Sequence, residues 1–189
     1  MPAQRNETVI CRGQPVRLLP QQFWHLVHPT AGLVLNNAFL GEGFCSSMSV
    51  ICRMPGLEKV GSPYGFKAKV DDKEQTWERV RTSEYPNLPS RCGAFFLFDD
   101  RQFAEQLRDR WFPGEDRIIV SVQIVEGSRV HRADAKWLDA TPDRWEENAR
   151  RYWSSEVTTD QRPEVLVDGA VYFPGWRDRP FGLLTPYRP

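Results

Sequence analysis

The chain has 189 residues, with 25 Lys plus Arg set against 25 Asp plus Glu. That length supports a sizeable core in one domain, and the even balance excludes a general field for nucleic acid or an anionic membrane, leaving only local basic patches. The opening MPAQRNETVI lacks the basic-then-apolar layout of a secretory signal, and no apolar run reaches membrane-spanning length. Cys11, Cys45, Cys52 and Cys92 form neither a CxxC pair nor the dense spacing of a stapled scaffold, so free thiols in a cytoplasmic protein are expected. Delivery into a target cell by a non-classical route would leave no trace of this kind.

In chain order, residues 1–22 read as an N-terminal arm. The aromatic stretch FWHLVH at 23–28, bounded by Pro20 and Pro29, predicts a strand. A short helix is expected over 30–38, although Gly32 disfavours it. Residues 41–63 carry Gly, Ser and Pro without a period and read mostly as loop. Residues 75–81 are ambiguous, and the YPNLP run after them reads as a turn or extended linker.

The signals sharpen from residue 94. The apolar run 94–98 predicts a strand, and Asp99 is expected to cap a helix in which Phe103, Ala104, Leu107 and Trp111 recur at helical spacing. Over 117–125, Ile118, Val120, Val122 and Ile124 alternate as in a half-buried strand. Thr141 with Pro142 starts a further helix, with Trp145, Ala149 and Trp153 as its buried stripe and Glu146–Arg150 and Glu147–Arg151 as its exposed pairs. Segments 164–167 and 170–173 flank Asp168-Gly169, a dipeptide suited to a type I′ hairpin turn. Residues 174–189, rich in Pro and Arg, read as an irregular arm. This order of elements predicts an α+β fold rather than a doubly wound one.

Phosphate-loop, dinucleotide, nucleophile-elbow and zinc patterns are absent from the sequence. Asp71-Asp72 and Asp99-Asp100 lie beside expected turns or caps and read as solvated surface rather than metal ligands. His25 and His28 fall on opposite strand faces, which argues against shared ligation. In the expected hairpin Glu164 pairs with Phe173 and shares a face with Leu166, Val171 and Phe173, where a carboxylate must be paired or reach a polar cleft. The bland alternative is a frayed strand start, with Glu164 partly solvated and bridged to Arg162. His25, alone in an aromatic strand, is more often a satisfied core residue than a functional one. Arg91, in a Pro89-Ser90-Arg91 turn before a buried strand, could reach a phosphate or a carboxylate. Ser90 is an ordinary turn residue.

Taken in order, these pieces resemble the ADP-ribosyltransferase fold, in particular its His–Tyr–Glu, diphtheria-toxin-like branch. The resemblance rests on His25 in FWHLVH, on the SRCGAFFLFDDRQFAEQLRDRW unit, and on Glu164 in PEVLVDGAVYF. It extends to uncharacterised bacterial proteins with a Pro-Ser-Arg turn before an aromatic strand and a Tyr-Trp pair, here Tyr152-Trp153. Two features depart from the pattern: Leu26 stands where a glycine usually follows the histidine, and the middle strand offers Phe95, Phe96 and Phe98 rather than tyrosine. The resemblance implies a split antiparallel sheet with flanking helices over residues 23–173. It further implies NAD as substrate and a protein, nucleic-acid or small-molecule acceptor, with Glu164 stabilising the oxocarbenium-like transition state. His25, with Leu26 beside it, would bind the adenosine ribose and Arg91, with Ser90, the pyrophosphate, while Phe95 or Phe96 would stack on nicotinamide. Such a protein would be a bacterial or phage effector or toxin. The alternatives are an NAD glycohydrolase and a non-catalytic interaction module on the same fold.

Overall fold

A computed structural model describes residues 7–182. In chain order the elements are β1 (Glu7–Cys11), β2 (Gln14–Val27), α1 (Gly32–Leu40), β3 (Phe44–Ser46), α2 (Met48–Ile51), α3 (Pro63–Ala68), α4 (Asp72–Glu84) and β4 (Phe95–Leu97). They continue with α5 (Arg101–Trp111), β5 (Ile118–Val125), β6 (Arg129–Asp134), α6 (Trp145–Trp153), β7 (Pro163–Asp168) and β8 (Ala170–Tyr172). Two short 3₁₀ turns, Ala135–Asp139 and Pro142–Arg144, lie between β6 and α6. The fold is α+β with antiparallel pairing. The expected single domain divides into two units: residues 7–45, 97–127 and 170–182 make the first, and 46–96 with 128–169 the second.

The first unit carries a five-stranded sheet in the order β1-β2-β5-β8-β3. From Glu7 on, the segment expected as an N-terminal arm is part of this sheet, because Leu18 is fully buried and β1 pairs with β2 from Glu7↔Leu18 to Cys11↔Gln14; residues 1–6 lie outside the described residues. Arg12 and Gly13 turn that hairpin with φ of 46° and 78°, the two positive values a type I′ turn needs. Pro20 falls in the stretch between Leu18 and Gln22 where the β2–β5 register shifts, so its missing N–H costs no ladder bond. α5 lays Ala104 and Leu107 in an apolar cluster with Leu26 and Phe98. Its cap is Asp100, whose Oδ1 accepts from the Phe103 amide at 2.7 Å, one residue after the Asp99 expected to do so. The part of the C-terminal arm that is described, up to residue 182, is made of turns with Phe181 buried; residues 183–189 lie outside the described residues.

The second unit holds a three-stranded sheet, β4-β7-β6. Its core gathers Trp77 and Val80 of α4, Ala149, Tyr152 and Trp153 of α6, Ala133 of β6 and Leu166 of β7. The Trp153 indole donates to the Trp77 carbonyl at 2.9 Å and ties the two helices together. The pairs Glu146–Arg150 and Glu147–Arg151 form on the exposed side of α6, each at 2.6 Å. Thr141 precedes a 3₁₀ turn rather than capping α6 directly, and its side chain makes no cap bond.

The expected Asp168-Gly169 hairpin does not form. β7 pairs with β6, so Glu164 lies opposite Ala133 and Val167 opposite Val130, while β8 pairs with β5 in the other sheet. Gly169 has φ of 152° and Asp168 is not in the left-handed region, which is not type I′ geometry. A Cβ on Gly169 would stand 2.3 Å from Ser128 Oγ and 2.8 Å from Ser128 Cα. The glycine is therefore required by a close approach of backbone, not by a tight turn.

Candidate functional site

The most concentrated polar cluster of the second unit is built on Arg91. The turn that carries it is fixed by Ser90, whose hydroxyl donates to Glu78 at 3.0 Å and whose carbonyl accepts from the Ala94 amide at 2.9 Å. Arg91 is only 5% exposed. Its Nε donates to Glu74 at 3.1 Å, one Nη to the Tyr152 hydroxyl at 2.6 Å and to Glu164, and the other Nη to the Tyr64 hydroxyl at 3.1 Å. The Phe96 and Tyr152 rings each lie 5.2 Å from the guanidinium carbon. Such contacts use the planar charge of arginine in a way a lysine could not.

Four elements bring the partners in. Glu74 stands in the first turn of α4, where its amide donates to the Asp71 cap at 3.1 Å. Tyr64 follows the Ser62 cap and Pro63 at the start of α3 and meets Phe96 edge-on at 5.2 Å. Tyr152 comes from the last turn of α6 and Glu164 from the second position of β7, where it is 3% exposed. The Tyr152 hydroxyl donates to Glu164 while accepting from Arg91, closing a triangle of phenol, guanidinium and carboxylate.

The electrostatics follow from burial. Desolvation alone would lower the Arg91 pKa, but the carboxylate of Glu164 and the other acidic groups around it hold it well above the ordinary value. Burial and the Glu164 carboxylate push the Tyr152 phenol well up, so it stays a neutral donor, and burial raises Tyr64 in the same way. One guanidinium faces two carboxylates in a site nearly closed to water, an arrangement whose attraction offsets its own desolvation only when the bonds are made in full. They are.

Arg91 and Glu164, singled out from the sequence, are thus in direct contact, with Ser90 beside them and Phe96 over the guanidinium. Phe95 is buried in β4. His25 and Leu26 belong to the first unit: His25 pairs with Val120 and its ring lies 6.3 Å from Phe173, while Leu26 is apolar core. Arg162, the partner of Glu164 in the frayed-strand alternative, bonds Asp139 at 2.8 Å instead. Among the described residues no group of His, Cys, Asp or Glu could hold a metal, the four cysteines are free thiols, and no helix is long and apolar enough to cross a membrane. Sequence reasoning missed Glu74 and Tyr64. The signals that could have found them are the Asp71-x-x-Glu74 helix start and the Ser62-Pro63 start just before Tyr64.

The fold and cluster define an α+β protein with antiparallel sheets and a buried Arg–Tyr–Glu centre. Residues 67–174 match a family model described as "Protein of unknown function (DUF2441)", and the chain belongs to that family. The matched segment contains Glu74, Arg91, Tyr152 and Glu164, and leaves out His25, Leu26 and Tyr64. The comparison with curated proteins found no match.

Proposed function

We propose that the protein is an NAD-dependent ADP-ribosyltransferase on an ADP-ribosyltransferase-like split sheet, transferring ADP-ribose to an acceptor and releasing nicotinamide. The observation that carries this reading is Glu164, a carboxylate buried at the start of a late strand and held by a tyrosine and an arginine. Cleavage of the nicotinamide–ribose bond builds positive charge on the anomeric carbon, and a fixed carboxylate stabilises that charge more than it stabilises bound NAD. With Glu164 already paired to Arg91, the reading requires that the NAD pyrophosphate take over the guanidinium, which frees the carboxylate for the ribose hydroxyl. The acceptor then attacks the anomeric carbon; with water as acceptor the same site is an NAD glycohydrolase.

One observation favours a second reading. Arg91 spends its side-chain donors on Glu74, Tyr152, Glu164 and Tyr64 within the second unit. A cluster so complete suits a core that fixes one packing, as in a non-catalytic interaction module on this fold. The two readings separate on nicotinamide release from NAD by the wild type and by Glu164→Gln. Only the enzyme releases nicotinamide, and the variant should then be slower by about 10²–10³.

A further inference from the structure

A second polar cluster of the same unit uses residues that the NAD reading leaves aside. Asp168 ends β7 with its side chain 2% exposed. Its Oδ1 accepts from Ser47 Oγ at 3.0 Å, and its Oδ2 accepts from Nη2 of Arg53 at 3.0 Å and from Nη2 of Arg129. The Ser47 amide donates to the Gly169 carbonyl at 2.8 Å and the Gly169 amide to Ser47 Oγ at 3.2 Å, so the hydroxyl that bonds the carboxylate is itself fixed in place. Burial pushes the Asp168 carboxyl up, but the bonds from Arg129, Ser47 and Arg53 hold it below the usual carboxylate range, so it stays charged.

The two arginines arrive from separate segments, Arg53 just after α2 and Arg129 at the first position of β6, and meet on one carboxylate oxygen. Fixing Asp168 needs one guanidinium. The second brings like charge against the first, and a single carboxylate cancels only one of the two charges. Their side chains are 62% and 44% exposed. Among the described residues the Arg53 guanidinium bonds only Asp168, and Arg129 adds the Asn87 carbonyl at 3.5 Å. The cluster is therefore a pair of pre-oriented donor forks, half open to water, with one uncancelled positive charge.

We propose that Arg53 and Arg129 form an oxyanion site for a phosphate-bearing small molecule. A tetrahedral phosphate brings up to a double charge and several oxygens to the guanidinium donors that Asp168 leaves unused, whereas a carboxylate ligand brings a single charge and two oxygens. The site shares no residue with the Arg91–Glu164 cluster, so it stands or falls independently of the NAD reading.

The test is titration of the full chain with inorganic phosphate, and with acetate as the carboxylate arm. The readouts are melting temperature and the side-chain Nε–Hε resonances of Arg53 and Arg129. Phosphate should raise the melting temperature and move both resonances, with acetate much weaker. Arg53→Gln, at an exposed position, should fold normally and bind phosphate about tenfold more weakly, the worth of a lost charge-assisted hydrogen bond. Arg53→Lys, which keeps the charge but not the fork, should fall between the two. No response of the wild type, equal phosphate binding by wild type and Arg53→Gln, or acetate binding as tight as phosphate would each overturn the proposal.

Discussion

Arg91 serves two carboxylates and two phenols, whereas Glu164 is only one of its partners, so the two residues should differ sharply as mutation sites. Arg91→Met strands two buried carboxylates and is expected to cost about 3–5 kcal/mol. Glu164→Gln leaves Arg91 neutralised by Glu74 and keeps an acceptor for Tyr152, so about 1–3 kcal/mol is expected. The combined variant Arg91→Met, Glu74→Gln, Glu164→Gln should recover part of the loss, since no uncompensated charge then remains. Urea unfolding of the variants checks the order. An Arg91→Met protein more stable than Glu164→Gln would mean that the cluster does not depend on its arginine.

At the scale of elements, residues read most clearly where packing was simple. β5 and the surface pairs of α6 form as expected, and the strand expected at 23–28 is the end of the longer β2, whereas of the expected α5 stripe Ala104 and Leu107 are buried, Phe103 is partly buried and Trp111 is 37% exposed. β6 was missed because RVHRAD puts a histidine and an aspartate at buried positions: His131 reaches the Tyr152 carbonyl at 3.2 Å, and Asp134 takes the Arg162, Thr158 and Lys136 amides. Periodicity counts those residues as polar, and only tertiary partners make them interior. α4 was obscure because Trp77 and Val80 are the only apolar residues it buries, with Glu74 buried beside them for Arg91. Of the candidate site, the Arg91 turn and Glu164 were legible one by one. Their contact was not, because the expected hairpin paired Glu164 with the wrong strand.

That error turns on Gly169, and it yields a prediction. Gly169→Ala forces a side chain onto φ of 152° and against Ser128, so a cost of about 1–3 kcal/mol is expected. Had the dipeptide been a plain turn, the clash would be absent. Adding Ser128→Gly should then return part of the stability, because Ser128 Oγ and Cβ are among the atoms met, although its Cα remains. Thermal unfolding of the single and double variants measures this. An unchanged melting temperature in Gly169→Ala would contradict the close approach.

For the whole molecule, the buried groups with lowered pKa values, His131, Asp134 and Asp168, act in one direction on acidification. Burial lowers the His131 pKa, helped by the Arg91 charge, so the unfolded chain binds a proton there that the folded chain resists. Stability from this group is complete above the ordinary imidazole value of about 6.5 and is lost as pH falls through the lower folded value. Asp134 and Asp168 also have lowered values, since their hydrogen bonds outweigh burial. Their contribution is complete above the ordinary carboxylate value of about 3.9 and is lost as pH falls below it. Urea midpoints should therefore fall in two steps on acidification, and His131→Gln should remove the upper one. A midpoint that rises between pH 7 and pH 5 would reverse the sign assigned to His131.

The most direct test joins chemistry to the Arg91–Glu164 contact: nicotinamide released from NAD, measured on purified wild type and on Glu164→Gln confirmed as folded. The enzyme reading predicts release by the wild type and a loss of about 10²–10³ in the variant, with NAD-dependent stabilisation of both proteins. Release at equal rates by the two proteins would remove Glu164 from the chemistry. No release, and no stabilisation by millimolar NAD, would contradict the reading outright and leave the Arg91 cluster as a fixture of the core.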